Sequence, residues 1–200
     1  MELIKNVTEL EALYGDAVPA ALEKVARRMT PHYRTWIEAS KFVVLSTVGP
    51  EGSDGSPRGD DGGVVHIADE QTLMLPDWRG NNRIDSLRNI VRDGRVSLMF
   101  MVPGCNNVVR VNGKAVLTAD EAVTVLFEKG GKTPKSVIVI TIGEMYFQCA
   151  KAIMRSRIWA GVDESAGLPS AGDFIKEFKA GFDGAAYDDG YAAYAKPLMW

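Results

Sequence analysis

The spacing of apolar positions divides the chain into a helical opening, a strand-rich middle and a mixed tail. Residues 8–39 read as helical. "TELEALYG" has Thr8 as a cap and Gly15 as a stop. "PAALEKVARRM" sets Leu22, Val25, Ala26 and Met29 on one stripe with a period near 3.6. Thr30-Pro31 opens a further short helix, with Pro31 in its first turn and Trp36 and Ile37 as its buried residues.

From "KFVVLSTVG" onward the pattern is that of strands, rich in β-branched and aromatic residues. "PEGSDGSPRGDDGG" reads as a loop by composition. "VVHIA" and "TLMLP" flank the turn "DEQ" as a hairpin. "PDWRGNNRIDSLRN" passes from loop to a helix at about 82–92, with Asn82 as cap, Asp85 as a capping-box variant, and Ile84, Leu87 and Val91 on the buried face. "RVSLMFMV" and "VVRVNGKAVLT" follow as strands, the second bent or bulged at Asn112-Gly113. "DEAVTVLFEKGG" is a helix closed by a Gly pair, "KSVIVITIGEMYFQCA" a long strand, and "AGDFIKEFKAG" a helix. The Gly/Ala/Tyr-rich end reads as loop.

The fold class is therefore mainly β with peripheral helices. Short connections imply antiparallel pairing, and six such strands with little helix cover favour a small closed barrel, which removes exposed edges. The expected organisation is one domain over residues 1–200: N-terminal helices at 8–39, the barrel at about 40–160, and a C-terminal helix and tail at 161–200.

Composition narrows the function classes. Apolar residues make up 46% and charged residues 24% of 200, with a net charge of −3. That balance argues against a general nucleic-acid binder. The N-terminus lacks the apolar core of a signal peptide, and "VIVITI" is too short to cross a bilayer, so a cytoplasmic protein without membrane attachment is expected. Cys105 and Cys149 form no CxxC pair, and His32 and His66 have no acidic partner at metal spacing. No metal is expected. Glycine-rich nucleotide motifs and the GxSxG elbow are absent.

What remains is anion chemistry. Arg79 and Arg83 flank the start of the 82–92 helix, and Gly80 permits close backbone approach. Cations there oppose the helix dipole, which suits a site holding a phosphate. The alternative is a pair of solvated arginines beside an ordinary cap. A second basic cluster, Lys151, Arg155 and Arg157 with Ser156 and Trp159, is either a ligand-facing group or a solvated strand end with Trp159 in the core. Arg58 lies in the Gly-rich "SPRGD". Anion sites without an evident nucleophile or acid–base pair fit a protein whose chemistry comes from a bound cofactor.

The order "KFVVLSTVGPEGSDGSPRGD", "TLMLPDWRGNNRIDSLRNI", "RVSLMFMV", "FQCAKAIMRSRIW" resembles the pyridoxamine 5'-phosphate oxidase-like flavoproteins over roughly residues 30–160, closest to a branch carrying "RGNNR" and "CAKA…RS". The resemblance implies a six-stranded antiparallel Greek-key split barrel, the FMN-binding split barrel, working as a homodimer with FMN at the interface. It implies that Arg58, Arg79, Asn81, Asn82 and Arg83 hold the phosphate and that Leu75 and Pro76 lie against the isoalloxazine ring. Lys151, Arg155 and Ser156 would approach the flavin, from the other subunit, with Trp159 beside it, and Lys151 or Arg155 would set a cation near the ring. The implied activity is flavin-mediated hydride transfer with a small-molecule substrate; catalytic residues are not assigned. The other readings are a non-catalytic flavin-binding or sensing protein, an enzyme using FAD or the deazaflavin F420, and a barrel kept as an interaction module. Authentic pyridoxamine phosphate oxidases carry a C-terminal Arg-x-His-Asp-Arg segment. Here no histidine or arginine follows Arg157, so that particular oxidation is not expected. The ending Leu198, Met199 and Trp200 is expected to dock on the partner subunit.

Overall fold

A computed structural model describes residues 1–199. Its centre is one antiparallel sheet of seven strands: β1 (Phe42–Gly49), β2 (Gly52–Gly59), β3 (His66–Ile67), β4 (Thr72–Asp77), β5 (Arg95–Met101), β6 (Val108–Thr118) and β7 (Ser136–Gln148), in the order β2-β1-β5-β6-β7-β4-β3. Every pairing is antiparallel. The seventh strand is β2, a segment whose composition reads as loop. It pairs with β1 along its whole length, from Phe42↔Gly59 to Gly49↔Gly52. As an edge strand it needs main-chain bonds on one side only, so its Gly, Asp and Pro57 are tolerated.

The inward side chains alternate as a half-buried sheet requires. Val43 and Leu45, then Val96, Leu98 and Phe100, point into the core with Val109, Val111, Ile138, Ile140 and Met145. Leu73 and Leu75 complete it from β4. The expected irregularity at Asn112-Gly113 is present as a register shift between β6 and β7. The main chain there passes so close to Thr141 that a Cβ on Gly113 would collide with its carbonyl.

The helices are α1 (Val7–Tyr14), α2 (Pro19–Glu23), α3 (Pro31–Ala39), α4 (Asp85–Arg92), α5 (Glu121–Thr124), α6 (Lys151–Ser156), α7 (Ala171–Phe178) and α8 (Gly184–Ala195). Asn6 rather than Thr8 caps α1, and Gly15 ends it. The expected long second helix is only five residues, because Ala26 leaves it to pair with Met145 by a β-bridge. Thr30 caps α3, whose Ile37 is fully buried. The tail expected to be loop contains α8, which crosses α7 where Gly172 meets Gly184. A Cβ on either glycine would strike the other's backbone, so the crossing exists because both lack one.

In α4 the expected cap and buried face are both displaced. The helix starts at Asp85, and its N-cap position is Ile84 in the left-handed region at φ 55°, following Asn82 at φ 59°. This shift turns Ile84 and Val91 outward, at 45% and 73% exposure. The buried side is Ser86, Asn89 and Ile90, with Leu87 packed against the core. Two polar links replace the missing apolar stripe: Asn89 Nδ2 donates to Thr47 Oγ1 at 3.2 Å, and Ser86 Oγ donates to Asp54.

A candidate anion and cofactor site at the seam of the sheet

The two ends of the strand order are not hydrogen-bonded to each other by main chain. Side chains join them instead. Arg58 on β2 ion-pairs with Asp77 at the end of β4, both side chains being mostly buried at 20% and 17% exposure. Arg58 Nε also donates to Ser56 Oγ at 3.1 Å, which fixes the guanidinium. Beyond β2, Asp60 accepts from Trp78 Nε1 at 3.2 Å and from Lys129, and Lys129 Nζ lies 2.6 Å from Asp61. The sheet thus curls until its first and sixth strands meet across a seam of charged side chains.

This clasp carries a pH dependence. The Lys129 ammonium holds the Asp61 carboxyl down from 3.8 to about 2, with Asp60 adding to the effect. Burial opposes the charge on Lys129, but hydrogen bonds to Asp60 and Asp61 outweigh it and raise its pKa above 10.5. A depressed carboxyl contributes fully above its unfolded-state value and loses that contribution as pH falls through the folded one; a raised ammonium loses its contribution as pH rises. The difference in Tm between wild type and Lys129→Met is therefore expected to be flat from roughly pH 5 to 9 and to shrink between about pH 4 and 2. Melting curves of both proteins across that range check this, and a difference that does not shrink in acid would separate the clasp from stability.

The seam opens into a cavity of about 490 Å³, within the range of small-molecule sites. Its lining includes Arg58, Leu75, Pro76, Arg79, Asn81 and Asn82, six of the residues singled out from sequence. One wall is apolar, built from Pro57, Val64, Leu75, Pro76 and Leu87. The other is the loop after β4. There Arg83 N–H donates to Asn81 Oδ1 at 3.0 Å, a turn closed by its own side chain. Arg83 itself turns to Asp85, Nε to Oδ2 at 2.8 Å, and is absent from the lining. That contact raises its pKa further.

The second basic cluster lies elsewhere. Lys151, Arg155 and Ser156 sit on α6, where Ser156 Oγ donates to Ile153 O at 3.0 Å. Trp159 Nε1 donates to Cys105 O at 2.8 Å. None of the four lines the seam cavity of this chain. Conversely, the lining contains Asp77, Trp78 and Lys135, which the sequence does not single out, and Met199, which the sequence reading sends to the partner subunit. Asp77 and Trp78 directly precede Arg79 and were within reach of a motif reading; Lys135 and Met199 arrive only through strand register and the path of the tail. Met199 reaches its own chain's cavity, with Lys132 Nζ holding Pro197 O at 3.0 Å; Trp200 lies outside the described residues. Among the described residues no group of three or more metal-ligating side chains is found, and no helix is long and apolar enough to cross a membrane.

A mainly antiparallel sheet, split along one seam and clasped there by side chains, is the split-barrel class. The chain belongs to the pyridoxamine 5'-phosphate oxidase family, whose model matches residues 29–149. The fold is shared with the crystal structure of a variant of the HupZ protein of Group A Streptococcus, at TM-score 0.50 and 17% identity over 60% of this chain and 98% of that one. An FMN-binding protein from Syntrophomonas wolfei aligns at TM-score 0.43 and 14% identity, over 58% of this chain and 88% of that chain. An F420 reductase aligns at TM-score 0.44 and 16% identity, over 60% and 98%. No curated protein matches the chain by sequence.

Proposed function

We propose that the seam cavity is an FMN site and that the protein is an FMN-dependent oxidoreductase acting on a small molecule, as a cytoplasmic homodimer. The observation that carries this reading is the convergence of Arg58, Leu75, Pro76, Arg79, Asn81 and Asn82 on one cavity. These come from two strands far apart in the sheet order and the loop after one of them. The cavity has the two chemical characters a flavin mononucleotide needs: an apolar wall for a flat ring and a cationic, amide-rich rim for a phosphate.

When bound, the flavin supplies the hydride-accepting centre, which fits a lining that contains no histidine or cysteine. The chain's own residues bind and orient. Leu75 and Pro76 present the apolar surface at the end of β4. Arg79, Asn81 and Asn82 receive the phosphate, and Arg83 adds charge from just outside. Arg58, fixed by Asp77 and Ser56, cannot swing away and so sets the position of whatever lies against it. Lys151, Arg155, Ser156 and Trp159 belong to this site through the partner protomer.

The test is the visible spectrum of the purified protein after loading with FMN and removal of the excess. Flavin bands that stay with the protein are expected, and chromatography of the released cofactor distinguishes FMN from FAD and F420. Catalytic reduction by a nicotinamide donor separates an enzyme from a flavin store or sensor. A protein that stays colourless after loading overturns the reading.

A further inference from the structure

We infer that Lys135 is a phosphate-binding residue of the seam cavity, acting with Arg79. This rests on the reading of the cavity as a site for a phosphorylated cofactor, and extends it to a side chain outside the "RGNNR" segment.

The inference comes from counting which charges at the cavity are already committed. Five charged residues line it: Arg58, Asp60, Asp77, Arg79 and Lys135. Arg58 and Asp77 neutralise each other, and Asp60 is taken by Lys129 and Trp78. Neither Arg79 nor Lys135 has an ion pair among the described residues. The lining therefore keeps two uncommitted cations and no uncommitted carboxylate. A phosphomonoester carries about −1.5 to −2 at neutral pH, which two cations balance.

Strand register brings the segments that carry the two cations side by side, and both side chains line the same cavity. β4 and β7 pair antiparallel, with Asp77 opposite Ser136 as the last pair. Continuing that register by one residue sets Lys135 beside Trp78, whose chain neighbour is Arg79. Pro134, buried just before Lys135, fixes the backbone from which the lysine leaves. Arg79 is a planar fork and Lys135 a mobile point charge, so the pair supplies both directional and adaptable contacts to one phosphate.

The experiment is a binding titration of FMN and of riboflavin, which lacks the phosphate, against wild type, Lys135→Met, Lys135→Arg and, as a charge control, Lys176→Met on α7. Lys135 is exposed, so the substitutions do not open the core. Lys135→Met is expected to weaken FMN about tenfold while leaving riboflavin unchanged. Lys135→Arg should recover most of the loss, and Lys176→Met should behave as wild type. FMN binding by Lys135→Met equal to wild type overturns the role of Lys135 and leaves the flavin reading standing. Should wild type bind neither flavin, the flavin reading falls, and inorganic phosphate decides the lysine. Thermal stabilisation by phosphate in wild type but not in Lys135→Met upholds the site, whereas equal stabilisation, or none in either, overturns it.

Discussion

Arg58→Ala is expected to lower FMN affinity by about 100-fold or more and to lower stability by about 2–3 kcal/mol. Two effects add. Among the described residues the guanidinium is the one side chain that ties β2 to β4 across the seam by an ion pair, so its loss loosens the wall of the cavity. It also strips Asp77 of its partner, leaving a carboxylate at 17% exposure facing a site built for an anion. The second effect is separable. Arg58→Ala combined with Asp77→Ala removes the orphaned charge and should regain part of the stability, because deleting both partners costs less than deleting one. It should regain little FMN affinity, since the side chain that fixes this wall of the cavity is still missing. Thermal melts and flavin titrations on the two variants and on Asp77→Ala measure this. A double variant no more stable than Arg58→Ala would show that the pair is not what holds the seam.

Gly113→Val should destabilise by more than about 3 kcal/mol, lowering Tm by roughly 10 °C in a domain of this size. The β6–β7 pairing is the longest in the sheet, and its register shifts at this glycine. A Cβ here meets the Thr141 carbonyl and lies 3.3 Å from the Gly143 amide nitrogen, both main-chain atoms of the paired strand. Neither can rotate away as a side chain can, so relief requires parting the strands. Gly55 on β2 is the matched control: nothing lies within 4 Å of a Cβ there, and its strand sits at the sheet edge. Gly55→Val should shift Tm by only a degree or two. Equal losses at the two positions would mean the bulge is not a point of close approach.

The strands that bury one or both faces were legible because burial writes itself into the sequence as β-branched and apolar runs. β1, β5, β6 and β7 are of this kind, and so is the bulge marked by Asn112-Gly113. β2 was not, since an edge strand held by main-chain bonds to β1 leaves no such trace in "GSDGSPRG". α8 leaves little trace for a related reason: its support is a close crossing of Gly172 and Gly184 on successive helices, which no apolar stripe announces. The start of α4 misled in the other direction. Asn82 has the chemistry of a cap, but it and Ile84 take left-handed backbone, and the helix begins after them. For the site, contiguous sequence exposed Arg58 and the segment around Arg79, which adjoin motifs. Lys135 becomes visible only when β7 is laid beside β4, and the place of Met199 in its own chain's cavity only when the tail is folded back.

A sheet that is split rather than fully closed keeps two free edges, and free edges invite other chains to add strands. The two edges here are blunted by different means. β3 is two residues long, too short to serve as a template. β2 is eight residues long but offers Pro57, which has no amide hydrogen, two aspartate- and arginine-bearing positions, and glycines that favour no extended zipper. The composition that hides β2 from a propensity reading thus also disfavours strand addition at this edge. Replacing it with a better strand former would trade a clearer local signal for fibrillar self-association.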